Sequence, residues 1–461
     1  MPRGRGTAPR RAAQHAVALL HRGEGRDTAG RMELPGTTDP PAGGVTSATW
    51  ASDVRARLSG FARSQAARDC AIALVSSRIL IWVVGVSAYL HFGVGPDVRF
   101  DHSLLTQSQG AVGNALVAPA VRWDSNWYVD TAVAGYLRQD VQPVFFPFYS
   151  LLMRWLGAVV GSVVVAGILI SFVAFFAALV MLHRLTEREL GSAAARRTVY
   201  LLSFFPFALF FSAVYTEALF LALVLGALWS GRRGRWWLAG LLGAAAAATR
   251  NIGVMLAPVL LFLYLYGPRD DEAPHSPAGG WRPRYRLRGD VAWLLLIPAG
   301  LVAYLVSLWI AHGDPLIPFR AQGYFQRSFD GPLSAVWQGG IQAAQAVVHL
   351  IGGAAGGRLA ALREIGLFAV AAAAVAAAVG VFRRLPPMYG VYTLVMAVPV
   401  LSFPQVDHPL ASASRYLATV FPLFMWAGWR LRRRWFVAVL VLFSIGLIYT
   451  SAMFATWHFV A

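Results

Sequence analysis

Residues 291–310, "VAWLLLIPAGLVAYLVSLWI", carry no formal charge along their whole length. A helix rises about 1.5 Å per residue, so about 20 such residues cross a hydrocarbon core about 30 Å thick. Comparable runs recur through the chain, and this recurrence constrains the fold more than any other feature. Inside a bilayer each backbone N–H and C=O has to be satisfied by the protein itself, which leaves helices and closed barrels. A barrel would show ~10-residue segments of alternating polarity instead. The pattern predicts an all-α polytopic membrane protein. Composition agrees, with 13% charged residues against roughly 25% in soluble domains.

Charge sets the topology. Eleven spans are expected, at about 70–92, 162–183, 198–214, 217–231, 236–250, 252–267, 291–311, 364–382, 387–403, 412–429 and 435–457. With the N-terminus in the cytoplasm, each dense arginine cluster (184–197, 232–235, 269–288, 383–384 and 430–434) falls on the cytoplasmic side. That is the positive-inside pattern. Counting 145–161, "FFPFYSLLMRWLGAVVG", as a twelfth span would invert all later loops. It would also bury Arg154 in mid-bilayer, at a cost of about 2.5–3.5 kcal/mol. This stretch is therefore expected as an interfacial helix, and 333–351, with Gln338, Gln342 and Gln345, as another. Arg358 and Arg363 fall outside, against the trend. Residues 1–65, rich in Arg, Gly, Pro and Ala and without an apolar run, are expected as a disordered cytoplasmic tail. The remainder, 66–461, is expected as one membrane domain with long external loops at 93–161 and 312–363. Loops of that length usually carry function.

All 40 basic residues are arginine. The absence of lysine excludes a Schiff-base lysine and a P-loop lysine. The net charge of +18 is carried by loops between apolar runs, which argues for membrane orientation over nucleic-acid binding. Cys70 is the single cysteine, so neither an internal disulfide nor a cysteine-based metal cluster can form. The histidines show no ligand spacing, and the Asp407–His408 pair reads as local hydrogen bonding. Arg78 lies inside the first span and is expected to snorkel inward.

The first external loop concentrates the chemistry. In "VRWDSNWYVDTAVAGYLRQDVQPVFFPFYSLL", residues 121–152, Asp124 is flanked by Trp123, Trp127 and Tyr128. Asp130 follows on another helical face. A carboxylate among aromatic rings at a membrane surface can serve as a general base with a raised pKa. The rings can cover a sugar face or a lipid head group. An aromatic belt around a solvated aspartate explains the same residues, and spacing alone leaves both readings open.

"RWDSNWYVDTAVAGY" followed by "FFPFYSLLMRW" resembles the opening of the PIG-V-type mannosyltransferases, the family of GPI mannosyltransferase II and its bacterial relatives. Further segments match in the same order: "FFPFALFFSAVYTEALFLAL", "AAAAATRNIGVMLAP", "HGDPLIPFRAQGYFQR" and "SRYLATVFPLF". The resemblance covers about residues 70–455. It implies a GT-C-type bundle of about eleven transmembrane helices, with interfacial helices in the first large external loop. It also implies an inverting hexosyltransferase that moves mannose from a polyprenyl-phosphate donor to a hydroxyl of a lipid- or protein-linked acceptor. The site would lie on the extracytoplasmic face of the plasma membrane.

Transferred residue by residue, the resemblance makes Asp124 the catalytic carboxylate, with Trp123, Trp127 and Tyr128 around the substrate. Glu217 takes the acidic position of the Tyr-Thr-Glu segment, where it could equally stabilise a helix N-terminus. Arg250 and Arg415, both at outer ends of spans, become candidates for a donor phosphate, although a snorkelling arginine explains the same position. Asn251 stands where family members usually have proline. Asp314, Arg320 and Gln322 form a polar strip that could touch sugar or acceptor, although Asp314 before Pro315 is also a turn signal. Some GT-C enzymes use a divalent cation and others do not, so a metal at Asp124 stays open. Two other classes remain: a glycolipid transporter or flippase, and an inactive protein that keeps the fold. Transporters favour inverted repeats and broken midplane helices, and no repeat between the halves is visible.

Overall fold

Among the described residues every regular element is helical, and the only extended pairing is an isolated bridge between Arg327 and Gln405. The computed structural model describes residues 64–101, 110–138, 141–277, 282–352 and 357–460. The expected tail, 1–65, lies outside them except for its last two residues.

The α-helices run in chain order as follows. Helix α1 spans Gln65–Phe92, α2 Gly110–Val117, α3 Ser125–Ala134, α4 Pro147–Val160 and α5 Val163–Leu190. Then come α6 Ser192–Phe204, α7 Glu217–Arg232, α8 Trp236–Thr249, α9 Leu256–Tyr266 and α10 Leu296–His312. Short α11 (Ile317–Arg320) precedes α12 (Ser334–Ile351), α13 (Arg358–Arg384) and α14 (Pro387–Val400). The chain closes with α15 (Ala413–Leu417), α16 (Pro422–Arg430) and α17 (Arg433–Ala455).

Each expected span contains helix. Five helical stretches are long and apolar enough to cross a membrane: Gln65–Phe92, Val163–Leu190, Gly289–His312, Arg358–Arg384 and Arg433–Ala455. The chain is an all-α membrane protein. The remaining six expected spans are shorter or interrupted. The span expected at 198–214 stops at Phe204, ahead of Pro206, and resumes as a 3-10 turn at Ala208–Phe211. The one at 412–429 breaks into α15 and α16, with Pro422 opening the second piece. Proline removes an N–H and crowds the preceding turn, so both breaks follow from the sequence.

The described parts of the long loops are largely helical. Helix α4, fourteen residues long, has a length of about 21 Å, short of a full crossing. Its Tyr149, Ser150, Met153 and Gly157 are buried, while Leu151, Arg154, Trp155 and Val159 face outward. Helix α12 is likewise two-faced: Ala335, Gly339, Ala343 and Ala346 are buried and Trp337, Val348 and Ile351 exposed.

Helix α8 packs on α7 and α10. The α8–α10 crossing is close enough that a Cβ on Gly240 would stand 2.1 Å from the Trp293 carbonyl oxygen. A Cβ on Gly300 would meet the Ala244 carbonyl oxygen at 2.1 Å as well. Small residues at such crossings let backbones approach where no hydrophobic force drives helices together.

Arg78 departs from expectation. Its guanidinium is buried and does not snorkel. Nη1 donates to Ser212 Oγ at 2.5 Å and Nη2 to the Ser203 carbonyl at 3.3 Å, above the Phe175 ring. It thus serves the broken segment between α6 and α7, where backbone and hydroxyl groups need partners inside the bundle.

Candidate active site

Asp124 sits at the N-cap of α3, where an aspartate ordinarily accepts from the helix's first free N–H groups. Here it makes no cap bond. Its Oδ2 instead accepts from Arg415 Nη1 at 2.7 Å. The preceding residue, Trp123, has a φ of 57°, in the left-handed region, which is strained for a bulky side chain. Tyr215 holds this turn: its hydroxyl accepts from the Asp124 N–H at 3.1 Å and donates to the Arg122 carbonyl at 3.2 Å. One phenol thus bridges both sides of Trp123. The Val214 N–H adds a bond to the Ala120 carbonyl at 2.8 Å.

The segment that carries Tyr215 continues into Glu217, the first residue of α7. Glu217 is 1% exposed. Its Oε1 accepts from Arg250 Nη1 at 2.8 Å and lies 3.3 Å from Arg415 Nε. Arg250 follows the end of α8 in an extended conformation, and a 3-10 turn, Asn251–Met255, begins right after it. Asn251 Oδ1 accepts from the Ile252 N–H at 2.7 Å, at the start of this turn. Arg415 lies on α15, behind Ser412 with a φ of 59°. The Tyr416 ring takes both guanidinium groups, with Arg250 at 4.6 Å and Arg415 at 4.7 Å from its centroid.

The result is a continuous chain of alternating charge, Asp124–Arg415–Glu217–Arg250, drawn from four separate segments. Buried charges are costly unless paired, and each is paired here. Asp124, the most accessible carboxylate of the two at 26% side-chain exposure, is the one that faces the cavity. Its Oδ1 has no hydrogen-bond donor among the described residues.

That cavity has a volume of about 790 Å³. Trp123, Asp124, Tyr128, Arg250, Gln322 and Arg415 line it. Much of the remaining lining is apolar, including Met255, Leu301, Met396, Val400 and Phe403. Three residues expected at the substrate lie elsewhere. Trp127 stacks on Phe145 at 5.9 Å and is not in the lining. Asp314 and Arg320 pair with one another outside the cavity, and Asp314 Oδ1 accepts from the Leu316 N–H, the role of a turn residue. Glu217 is in place but behind the arginines, so its contact is with them and not with the cavity.

Sequence reasoning missed Tyr215, Tyr416 and Arg327. Tyr416 adjoins Arg415 in the "SRY" segment, and Arg327 ends "HGDPLIPFRAQGYFQR"; both line the cavity. Burial holds the Tyr128 hydroxyl well above the usual phenol range, so it stays protonated beside Thr216 Oγ1, 3.3 Å away. The donor set does not suit a divalent cation. Both carboxylates at the site already face guanidinium groups, and among the described residues no group of three His, Cys, Asp or Glu side chains converges.

Residues 102–266 match the family model described as Mannosyltransferase (PIG-V). This bears out the resemblance read from the sequence, for the segment holding Asp124, Glu217 and Arg250. A mouse GPI alpha-1,6-mannosyltransferase 2 is 31% identical over 189 residues, 38% of this chain and 37% of the mouse protein. The rat protein of that name is 27% identical over 235 residues, 48% of this chain and 44% of the relative. The chain therefore spans less than half the length of the curated relatives it matches. Among solved structures, an archaeal oligosaccharyltransferase, AglB from Archaeoglobus fulgidus, in complex with an inhibitory peptide and a dolichol-phosphate, aligns with 83% of this chain and 55% of its own. The TM-score is 0.39 and the identity 13%.

Proposed function

We propose, with the PIG-V match over residues 102–266 as premise, that this chain is an inverting membrane mannosyltransferase of the GT-C type. It moves a mannosyl residue from a polyprenyl-phosphate donor to a hydroxyl of a lipid- or protein-linked acceptor. The observation that carries this reading is the ion chain Asp124–Arg415–Glu217–Arg250, of which Asp124, Arg415 and Arg250 line the cavity.

The reaction is a single displacement. The acceptor oxygen bonds to the anomeric carbon from one face while the bond from that carbon to the phosphate oxygen breaks on the other. Configuration inverts, and the polyprenyl phosphate leaves with the electron pair. Asp124 Oδ1 takes the acceptor's hydroxyl proton. Arg415, bound to Oδ2, keeps the carboxylate oriented. Arg415 is itself held by Glu217, which makes Glu217 a positioning residue. Trp123, Tyr128 and Gln322 border the space for the sugar, and the apolar lining residues suit a prenyl chain. Within this reading, residues 66–461 are the transferase domain and 1–65 a cytoplasmic tail, with the site on the external face of the plasma membrane.

Purified protein in lipid nanodiscs, given mannosyl-phosphoryl-polyprenol and membrane-lipid acceptors, tests this. Mannose transferred to the acceptor, with one polyprenyl phosphate released per transfer, supports the reading. Donor that stays intact, whether it is merely bound or is carried across a proteoliposome bilayer, contradicts it.

A further inference from the structure

Three arginines line the cavity: Arg250, Arg327 and Arg415. Two of them are committed to carboxylates, Arg250 to Glu217 and Arg415 to both Asp124 and Glu217. These four charges sum to zero. Arg327 forms no ion pair with any described residue. Its Nη2 donates to the Ala411 carbonyl at 2.7 Å, while Nε and Nη1 have no acceptor among the described residues. The cavity therefore carries one uncompensated positive charge.

The guanidinium is also firmly placed. Gln326, just before it, adopts a φ of 51°, and the Arg327 backbone pairs with Gln405 in the isolated bridge. The Ala411 carbonyl lies next to the left-handed Ser412 at the entrance to α15, so Arg327 is tied to the segment that presents Arg415. Burial draws the Arg327 group below the usual arginine range; Tyr416 and Asp124 oppose that shift, and the neighbouring Arg415 adds to it. An anion in the cavity also opposes the shift.

We propose that Arg327, through the N–H donors it leaves free, is the group that receives the phosphate of a lipid-phosphate ligand, while Arg250 and Arg415 organise the carboxylates. This rests on the transferase reading and refines it, since sequence alone assigned the phosphate to the two paired arginines. Nη2 has a second N–H beside the one given to Ala411, so one edge of the guanidinium, Nε with Nη2 or Nη1 with Nη2, stays open to two phosphate oxygens, the bidentate geometry that arginine offers and lysine does not.

The full chain in nanodiscs is titrated with undecaprenyl monophosphate and, separately, with uncharged undecaprenol, read by intrinsic tryptophan fluorescence and native mass spectrometry. Wild type is expected to prefer the phosphate, and Arg327→Gln to weaken phosphate binding by about 10-fold or more without changing undecaprenol binding. Arg327→Lys should recover part of the preference. If Arg327→Gln melts with wild type and retains the full preference, the assignment is overturned while the transferase reading stands on its transfer assay. If Arg327→Gln does not fold, Arg327→Lys decides: unchanged phosphate affinity overturns the assignment and a several-fold loss supports it. Absence of any preference in wild type overturns both.

Discussion

Arg415 Nη1 lies 2.7 Å from Asp124 Oδ2, across 291 residues of chain. The contact joins the start of α3 to the short helix α15, and it does so with an aspartate that forgoes its place as a helix cap. Local stability is given up for a placed carboxylate, as is common at functional sites.

Glu217→Gln tests the centre of the ion chain. The substitution keeps the shape but leaves Arg250 and Arg415 without the carboxylate between them. Breaking a buried pair in this way costs about 3–5 kcal/mol. The thermal midpoint in detergent should fall by several degrees, and donor turnover should fall with it. A variant as stable as wild type would mean that water or lipid already compensates these charges.

Tyr215→Phe removes one hydroxyl that serves two backbone groups, the Asp124 N–H and the Arg122 carbonyl. The stability loss should be small, about 1–3 kcal/mol. The catalytic loss should be larger, because a displacement near 1 Å at a reacting group costs about 100-fold. Steady-state kinetics should show the loss in kcat, with KM for the donor little changed.

Arg78→Ala leaves Ser212 Oγ and the Ser203 carbonyl inside the bundle without this donor. A buried polar group left unsatisfied costs about 1–3 kcal/mol. Hydrogen exchange should rise between residues 203 and 212 and stay unchanged around α12. Uniform protection in the variant would count against Arg78 as the support of that break.

Gly240→Val places side-chain atoms against the Trp293 carbonyl, where even a Cβ stands at 2.1 Å. Overpacking of a tight contact costs about 1–3 kcal/mol or more. Folded yield from membranes should drop sharply, whereas Gly323→Ala, in open space, should express normally.

Much of this architecture was legible in the chain. Apolar length and the arginine clusters located helix in every expected span, and the resemblance brought Asp124, Glu217, Arg250 and Arg415 to one cluster. What stayed hidden was direction. Arg320 and Gln322 are two residues apart, yet only Gln322 reaches the cavity, because α11 passes into a 3-10 turn between them. Trp127 follows Asp124 by one helical turn, but Phe145 claims its ring. Arg78 read as a snorkelling residue because nothing in its own span reveals a break 125 residues later. Nothing in the sequence singles out Arg327. Only when the other two were seen to be paired did its free charge stand out.

The account turns on Asp124 as the base for sugar transfer. The direct measurement is single-turnover transfer from mannosyl-phosphoryl-polyprenol by wild type and Asp124→Asn in the same nanodiscs, with donor binding measured in parallel. General-base catalysis contributes about 100- to 10,000-fold, so Asp124→Asn should bind donor normally and transfer at least about 100-fold more slowly. Transfer by Asp124→Asn at the wild-type rate would contradict the account.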